Sequence, residues 1–192
     1  VESATDAIRA ELIEIRREPA SFDPYVTGHA NRPRNDQRGM LNNPAWSAYY
    51  LWKNGQPVAA NVARFPNTMR AVRDVPLCHV PPRSPSILFS LLQPGAHIPP
   101  HNGLVNTRLI CHLPVIVPPN CRFRVGNDER EWVTGKAWAF DDTIDHEAWN
   151  GSQETRVILL FDVWRPELAE RERAAVIALF EAIDAHSDRK PE

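Results

Sequence analysis

The sequence predicts a mainly β domain, an all-β sandwich or barrel with a helix at each end. Its second half contains short runs rich in β-branched and aromatic residues: SILFSLL, RLICHLPVIV, CRFRV, KAWAF and RVILLFDV. The turn signals VPPN, VGNDE and VTGK separate them. Several short strands at this spacing are typical of sandwiches and barrels. The 18 prolines, which cluster between Pro66 and Pro119, also favour short strands and turns over long helices.

Helical spacing appears at both ends of the chain. Residues 3–18 predict an amphipathic helix that Ser3 can cap, with these apolar residues on one face: Ile8, Leu12 and Ile15. Residues 167–186 predict a final helix with Pro166 near its start and these residues at helical spacing: Ala175, Leu179 and Ile183. Both helices are expected to pack outside the strands.

The segment 27–44, TGHANRPRNDQRGMLNNP, has almost no apolar content and predicts a loop. The simpler interpretation is a surface connection between two elements. The functional interpretation is a lid over a pocket.

Composition limits the class of protein. A length of 192 residues, 43% hydrophobic and 24% charged, is ordinary for one globular domain. The net charge of −2 gives no reason to expect nucleic acid or an anionic membrane as partner. Three cysteines without a CxxC spacing argue against a disulfide framework or a zinc–thiolate site. Without a bilayer-spanning run or a signal-peptide pattern, we expect a cytoplasmic, reducing setting.

Three of the seven histidines are candidates for chemistry: His101, His112 and His146. In many iron oxygenases a metal-binding His stands two residues before a metal-binding Asp or Glu, but the residue two after His101 is Gly103. The simpler alternative for each is a buried His that is hydrogen-bonded into the core. His97 is separated from His101 by two prolines, which exclude a regular helix there, and we interpret it as structural.

Strand periodicity sorts the side chains of two runs into faces. In the run 108–117 the first face carries Arg108, Ile110 and His112. The opposite face is apolar and is expected to meet the core: Leu109, Cys111 and Leu113. In the run 156–163 one face carries Arg156, Ile158, Leu160 and Asp162.

Both runs therefore direct an arginine the same way as other polar groups. A charged side chain that projects into a β domain needs an anionic partner. One alternative is a structural ion pair with Asp141, Asp142 or Asp162. The other is the carboxylate of a bound ligand, held in bidentate fashion by the guanidinium.

Four segments together resemble the aspartyl/asparaginyl β-hydroxylases in order and spacing: WSAYYLW (46–52), FSLLQPGAHIPPHNGLVNTRLICHL (89–113), WVTGKAWAFDDTIDHEAW (132–149) and RVILLFDVWRPEL (156–168). The combination of PGxHxxPHxG, HL, FDDxxxHExW and DVWxPEL is specific, although each piece is weak alone. The resemblance implies a double-stranded β-helix, a cupin-like jelly roll with flanking helices. It also implies one oxygenase domain over 1–192, with a helical and loop flank (1–45), a jelly-roll core (46–168) and a C-terminal helix (169–192).

The same resemblance implies an Fe(II) site, with 2-oxoglutarate and O2 as cosubstrates. This family resembles the oxygenases that bind iron with two His and no protein carboxylate. The resemblance therefore implies His101 and His146 as the iron ligands. It also implies that Gly is the family's usual residue at position 103, where other iron oxygenases have a metal-binding Asp or Glu. The implied cosubstrate-binding residues are Ser90, His112 and Arg156. Either Asp141 or Asp142 is implied to accept a hydrogen bond from an iron-bound water.

Substrate recognition departs from the family pattern at one position. Many members carry a second Arg two residues after the equivalent of Arg108, and here that residue is Ile110. This Arg is expected to help read an acidic substrate, so its absence bears on the substrate more than on the oxygenase chemistry. The expected substrate-binding residues are Arg108, Ile110, Trp46 and, as a replacement cation from the loop, Arg38.

The implied activity is a dioxygenase reaction that hydroxylates an unactivated C–H bond, at the β-carbon of an Asp- or Asn-type amino-acid or peptide substrate. One alternative is hydroxylation of a lipid acyl chain or another small molecule. A halogenase, a cupin-like enzyme with another metal and a jelly roll that binds a ligand or protein without turnover are further alternatives. The FDDxxxHExW context and the retention of both His and Arg156 favour the hydroxylase.

Overall fold

The computed structural model describes residues 1–18, 22–28 and 37–187. The α-helices in these ranges are α1 (Thr5–Arg16), α2 (Ala59–Val62), α3 (Pro66–Val72) and α4 (Glu170–Ser187). The strands are β1 (Asp23–Pro24), β2 (Trp46–Lys53), β3 (Gln56–Pro57), β4 (Ile87–Leu92), β5 (His97–His101), β6 (Arg108–Ile116), β7 (Cys121–Val125), β8 (Asp128–Glu131), β9 (Trp138–Phe140), β10 (His146–Asn150) and β11 (Arg156–Trp164). The five runs that predict strands correspond to β4, β6, β7, β9 and β11.

The strands form two antiparallel sheets. The larger sheet has the order β1-β2-β4-β11-β6-β9, with β3 paired to β2, and the smaller has the order β5-β10-β7-β8. Pairs such as β4 with β11 and β5 with β10 join strands that are distant in sequence. The fold is a mainly β jelly roll with helices at both ends, as the sequence predicts.

Strand alternation divides the apolar side chains of the larger sheet between two layers. One face packs with α1, and the shared core contains Ile8, Leu12, Phe89, Leu113 and Leu159. The other face meets the smaller sheet, and the core between the sheets contains Trp46, Leu92, Ile98, Phe123, Ala148 and Ile158. The face of β6 that carries Leu109, Cys111 and Leu113 does meet the helical core, as predicted. The opposite face of β6 points between the sheets.

The N-terminal helix lies where the sequence predicts it, but Ser3 does not cap it. Ser3 lies inside a short 3-10 turn over Glu2–Ala4, and α1 begins at Thr5 with Ala4 as its N-cap residue. The Thr5 hydroxyl instead donates a hydrogen bond to the Glu2 carbonyl at 2.6 Å. The extra turn shifts the helix start by two residues.

The C-terminal helix begins three residues later than predicted, and its apolar face is a different one. The predicted stripe is exposed, with Leu179 at 58% and Ile183 at 42% of their accessible area. The packed residues are Val176, Ile177 and Phe180, which contact a small core of Cys78, Val80 and Trp164. Helical spacing alone does not distinguish these two stripes. Which stripe packs depends on the position and direction of the chain as it leaves β11.

Proline-rich sequence is also compatible with a helix where the proline comes first. Pro66 occupies the first turn of α3, where its missing N–H is not needed, and this segment departs from the predicted preference for strands. In the segment 27–44, residues 29–36 lie outside the described part. Residues 37–39 form a 3-10 turn, and Val26 bridges Leu41. Of the described helices, none has the length and apolar character needed to cross a membrane.

Candidate active site

A cavity of about 430 Å³ lies between the two sheets. Most residues that the sequence singles out line it: Trp46, Ser90, His101, Arg108, Ile110, His112, Asp142, His146 and Arg156. Arg38 and Asp141 do not. Since β11 rises about 3.3 Å per residue, Arg156 and Asp162 mark positions roughly 20 Å apart along one wall.

His101 and His146 meet across the smaller sheet. They are direct partners in the β5–β10 register, and their ring centroids are 4.1 Å apart. The Nδ1 of His101 lies 2.9 Å from the Pro99 carbonyl, and the Nδ1 of His146 lies 2.8 Å from the Ile144 carbonyl. A carbonyl only accepts, so each Nδ1 carries the proton and each Nε2 keeps its lone pair.

Burial favours the neutral form of both imidazoles. Burial, followed by the neighbouring His101, lowers the pKa of His146 to about 4. Burial also lowers the pKa of His101. Neutral imidazoles with a free Nε2 are the form in which His binds a metal. Among the described residues, no group of three or more His, Cys, Asp or Glu is arranged to hold a metal ion.

The Asp142 carboxylate packs directly against the backbone of Gly103. The Gly103 N–H donates to the Asp142 carbonyl at 2.6 Å. A Cβ at position 103 would lie 2.2 Å from Asp142 Oδ2, far inside contact distance. The Asp142 carboxylate therefore takes the volume that a side chain at position 103 would fill, and a third ligand from position 103 does not fit beside it.

Arg156 forms one end of the cavity. It is only 1% exposed, and its Nε and Nη2 have no hydrogen-bond partner among the described residues. Its guanidinium lies over the Trp132 ring, 4.8 Å from the centroid. Burial without a carboxylate partner lowers the pKa of Arg156 to about 10. A buried cation with free donors is an incomplete ion pair, so this end fits an anionic ligand group.

Two polar side chains line the cavity near Arg156. Ser90 lies on β4 opposite Ile158, and its Oγ accepts a 3.2 Å hydrogen bond from Trp46 Nε1. The Nδ1 of His112 accepts a 3.4 Å hydrogen bond from Trp132 Nε1, which leaves the Nε2 proton of His112 free to donate. Burial, followed by the positive charge of Arg156, lowers the pKa of His112 well below its usual value. Both side chains are therefore neutral groups that can donate to an anion.

Arg108 stands at the other end and pairs with two carboxylates. Its Nη1 donates to Asp162 Oδ2, and its Nη2 donates to Asp142 Oδ2 at 3.1 Å. Of the two alternatives for a buried arginine, Arg108 has the structural ion pair. Ile110 lies between Arg108 and His112 on the same wall and is 6% exposed.

Two of the expected site residues lie outside this cavity. Asp141 Oδ1 accepts hydrogen bonds from the Thr143 N–H at 3.0 Å and hydroxyl at 2.7 Å, and its Oδ2 pairs with Arg165. Of the pair Asp141 and Asp142, the structure therefore places Asp142 at the cavity. Arg38 lines a smaller, adjoining cavity of about 280 Å³, whose walls include Trp46 and His101.

Sequence reasoning missed two aromatic residues of the site. Trp132 stacks on Arg156, and Tyr25 stacks on Trp46 with ring centroids 4.1 Å apart. Trp132 lies in the segment 132–149, which resembles the family, but no pattern in that segment indicates that Trp132 contacts Arg156. Tyr25 comes from the N-terminal flank through the short strand β1, and no local pattern connects it to the cavity.

Comparison with known proteins identifies the family. The profile described as aspartyl/asparaginyl β-hydroxylase matches residues 2–166. The human aspartyl/asparaginyl β-hydroxylase is 33% identical over 138 residues, which cover 70% of this chain and 18% of that protein. The ornithine lipid ester-linked acyl 2-hydroxylase of Rhizobium tropici is 34% identical over 172 residues, 86% of this chain and 56% of that protein.

Among solved structures, a cupin 2 conserved barrel domain protein from Salinispora arenicola aligns with 81% of this chain and 99% of its own, at 13% identity and a TM-score of 0.41. The chain spans less than two thirds of the length of both hydroxylase relatives. The profile match covers most of the chain, and the chain therefore belongs to the aspartyl/asparaginyl β-hydroxylase family.

Proposed function

We propose that this chain is an Fe(II)- and 2-oxoglutarate-dependent dioxygenase that hydroxylates an unactivated C–H bond. The observation that carries the proposal is the buried guanidinium of Arg156, whose Nε and Nη2 have no hydrogen-bond partner among the described residues, in the same cavity as the His101–His146 pair. The cosubstrate 2-oxoglutarate has a carboxylate at each end. One end requires a cation such as Arg156, and the other requires a metal.

The donor set fits Fe(II). His101 and His146 would hold the ion through their Nε2 atoms, since both Nδ1 atoms are occupied by backbone carbonyls. Imidazole suits iron, and oxygen ligands from a cosubstrate complete such a site. Bound iron with 2-oxoglutarate and O2 supplies the oxidation of the C–H bond. Asp142, whose carboxylate fills the space beside Gly103, would accept a hydrogen bond from a water at the metal.

The residues of the Arg156 end would orient the cosubstrate. Arg156 would pair with its distal carboxylate, with donors from Ser90 and His112 on the same group. The Trp132 ring holds the guanidinium from behind and excludes water from it. The low local polarity strengthens each of these charge-assisted hydrogen bonds.

The substrate belongs to one of two classes. The first is an amino-acid or peptide substrate hydroxylated at the β-carbon of an Asp- or Asn-type residue, as the name of the human relative indicates. The second is a lipid acyl chain. It is supported by the Rhizobium relative, which aligns with 86% of this chain against 70% for the human protein. A halogenase is disfavoured, because the Asp142 carboxylate would repel a halide beside Gly103.

Iron content and succinate release test the proposal. Wild-type protein incubated with Fe(II) without oxygen is expected to bind one iron, and then to release succinate from 2-oxoglutarate when O2 is admitted. His146→Ala is expected to lose both. His97→Ala is the matched control, because His97 stacks on Trp149 and pairs with Glu147 outside the cavity. Full iron binding and succinate release by His146→Ala would refute the assignment.

A further inference from the structure

The floor of the cavity changes from polar to apolar along β11. Arg156 and Ser90 lie at one end, where the cosubstrate is proposed to bind. Further along β11, Leu160 lies in one row with Tyr50 of β2, because both are cross-strand partners of Leu88 on β4. We call the part of the cavity from this row onward the distal lobe, and its apolar lining residues are Tyr50, Val80, Ile110, Leu160 and Phe180.

The apolar surface of the distal lobe is open to a ligand. Of the residues of β11, which the structure describes throughout, Leu160 alone is not buried, although β11 has a neighbouring strand on each side. Tyr50 and Phe180 are half-buried as well. Leucine at the centre of a sheet is usually covered by the core, whereas here the cavity leaves it accessible. The lobe therefore offers hydrocarbon surface that a bound ligand would remove from water.

The far wall of the distal lobe comes from the loop 76–86 and from α4. The Cys78 N–H donates to the Asp162 carbonyl at 3.0 Å, which places this loop at the end of β11 that is remote from Arg156. Phe180 of α4 packs against Val80 of the loop, and both line the cavity. Phe180 therefore stands at the end of the lobe that is farthest from the cosubstrate.

The charged side chains of the distal lobe are already paired. Among the described residues that line it, Arg83 pairs with Asp184, and Arg108 pairs with both Asp142 and Asp162. A charged substrate group would have to break these pairs or enter without a counter-ion, and both cost free energy. A hydrocarbon chain needs no such partner, so the lobe favours an uncharged chain.

We propose that the distal lobe binds an unbranched hydrocarbon chain of the substrate, and that Phe180 sets the length of chain that fits. This inference rests on the proposed function, since it places the reacting C–H bond at the His101–His146 pair, and it favours the acyl class of substrate. The chain would run over Leu160 towards α4. Each CH2 group that is buried against Tyr50, Leu160 and Phe180 stabilises the complex, because apolar surface leaves water.

Four neutral amides test the class of ligand: butyramide, hexanamide, octanamide and N-acetyl-β-alaninamide. The last has the chain length of hexanamide but an amide in its middle. Dissociation constants are measured by ligand-detected NMR titration on protein loaded with Fe(II) and 2-oxoglutarate without oxygen. We expect the affinity to rise about fourfold for each added CH2 group. N-acetyl-β-alaninamide should bind at least about tenfold more weakly than hexanamide, because its central amide loses water without gaining a partner. Equal binding of these two, or no gain with chain length, would overturn the inference.

Substitution of Phe180 locates the chain within the protein. Phe180→Trp fills the far end of the lobe, so octanamide should lose at least about tenfold in affinity while butyramide stays within about twofold of wild type. Leu179→Trp is the matched control, because Leu179 is the adjacent residue of α4 and is 58% exposed. An equal gain with chain length in both variants would place the chain outside the lobe and overturn the inference.

A variant in the floor tests the lobe independently of α4. Leu160→Asn replaces hydrocarbon with a polar group of similar size and does not fill the lobe. Octanamide should bind to this variant about tenfold more weakly than to wild type, and butyramide should lose less. Unchanged binding of octanamide would contradict a chain that runs over Leu160.

Titration without Fe(II) and 2-oxoglutarate separates this inference from the proposed function. The lobe is formed by protein side chains, so the gain with chain length and its loss in Phe180→Trp should persist in the unloaded protein. If wild type fails to bind Fe(II) and 2-oxoglutarate, the proposed function is wrong, and the unloaded titration still decides whether the lobe binds a chain. If wild type binds both and shows no gain with chain length, the oxygenase assignment stands and the substrate inference is wrong.

Discussion

Arg156 and Arg108 lie on neighbouring strands of one sheet and both face the same cavity, yet their surroundings differ. Arg108 is shared by Asp142 and Asp162. Arg156 instead lies over the Trp132 ring, and its Nε and Nη2 have no hydrogen-bond partner in the part of the chain that the structure describes. Among the described residues, the cation at one end of the cavity has no carboxylate partner, and the cation at the other end has two. The comparison shows that strand alternation directs an arginine into a site, while its neighbours decide whether it binds a ligand.

The largest expected effect comes from removing the unpaired arginine. Arg156→Met leaves the distal carboxylate of 2-oxoglutarate without its cation. Breaking a buried ion pair costs roughly 3–5 kcal/mol. The KM for 2-oxoglutarate in succinate release should therefore rise by about 10²- to 4 × 10³-fold, a range that follows from about 1.4 kcal/mol per factor of ten.

Arg130→Met is the matched control for this experiment. The Arg130 side chain is 65% exposed and pairs with Asp128, whose side chain is 77% exposed, on the edge strand β8. Its removal should leave the KM unchanged. A 2-oxoglutarate dependence in Arg156→Met that matches wild type would show that the unpaired cation has another purpose.

Removing the paired arginine should affect folding first. Arg108→Met leaves Asp142 and Asp162 buried with no cation between them, and we expect the free energy of unfolding to fall by about 3 kcal/mol. Urea denaturation of the protein without ligands measures this loss. Arg130→Met should change the same quantity by less than about 0.5 kcal/mol. A loss no larger than that of Arg130→Met would mean that Arg108 does not hold the two carboxylates.

A methyl group at position 103 tests the close contact between Gly103 and the Asp142 carboxylate. In Gly103→Ala the new Cβ must displace Asp142 Oδ2, which also holds Arg108. We expect a loss of about 1–3 kcal/mol in unfolding free energy and a fall in succinate release. Gly28→Ala is the control, since its Cβ would lie at an ordinary 3.8 Å from Leu41.

Gly103→Asp meets the same steric conflict before its carboxylate can reach a metal. We therefore expect it to be at least as damaging as Gly103→Ala. A fully stable and active Gly103→Asp protein would contradict the packing of Asp142 against position 103.

Much of this arrangement could be predicted from the sequence because it depends on local periodicity. Alternation in β6 and β11 places Arg108, His112 and Arg156 on the cavity side, and the structure has them there. The family motifs predict that His101 and His146 belong to one site. In the structure the register of β5 and β10 brings the two residues together.

The rest depends on contacts between distant segments. Asp141 and Asp142 are adjacent in one turn, and only the tertiary position of Arg165 and Arg108 shows which carboxylate faces the cavity. Helical spacing in α4 predicts the stripe with Leu179 as the packed face, whereas the structure packs the neighbouring stripe with Phe180. The charge of Arg38 and the position of its loop just before Trp46 predict Arg38 at the pocket, and the structure places it at the adjoining cavity.

The smallest expected effect concerns Arg156 in the absence of ligand. A buried cation without a carboxylate partner destabilises the folded protein, so replacing it with an apolar side chain of similar length should raise the unfolding free energy, by about 1 kcal/mol. The contact with Trp132 opposes part of this gain, because a cation over a ring contributes about 0.5–2 kcal/mol. Urea denaturation without ligands is expected to place Arg156→Met at or above wild type. Addition of Fe(II) and 2-oxoglutarate should then stabilise wild type and leave the variant nearly unchanged, because only the protein that binds the ligand gains from it. If Arg156→Met without ligands instead loses as much stability as Arg108→Met, then Arg156 is a structural cation like Arg108, and the contrast between the two ends is wrong.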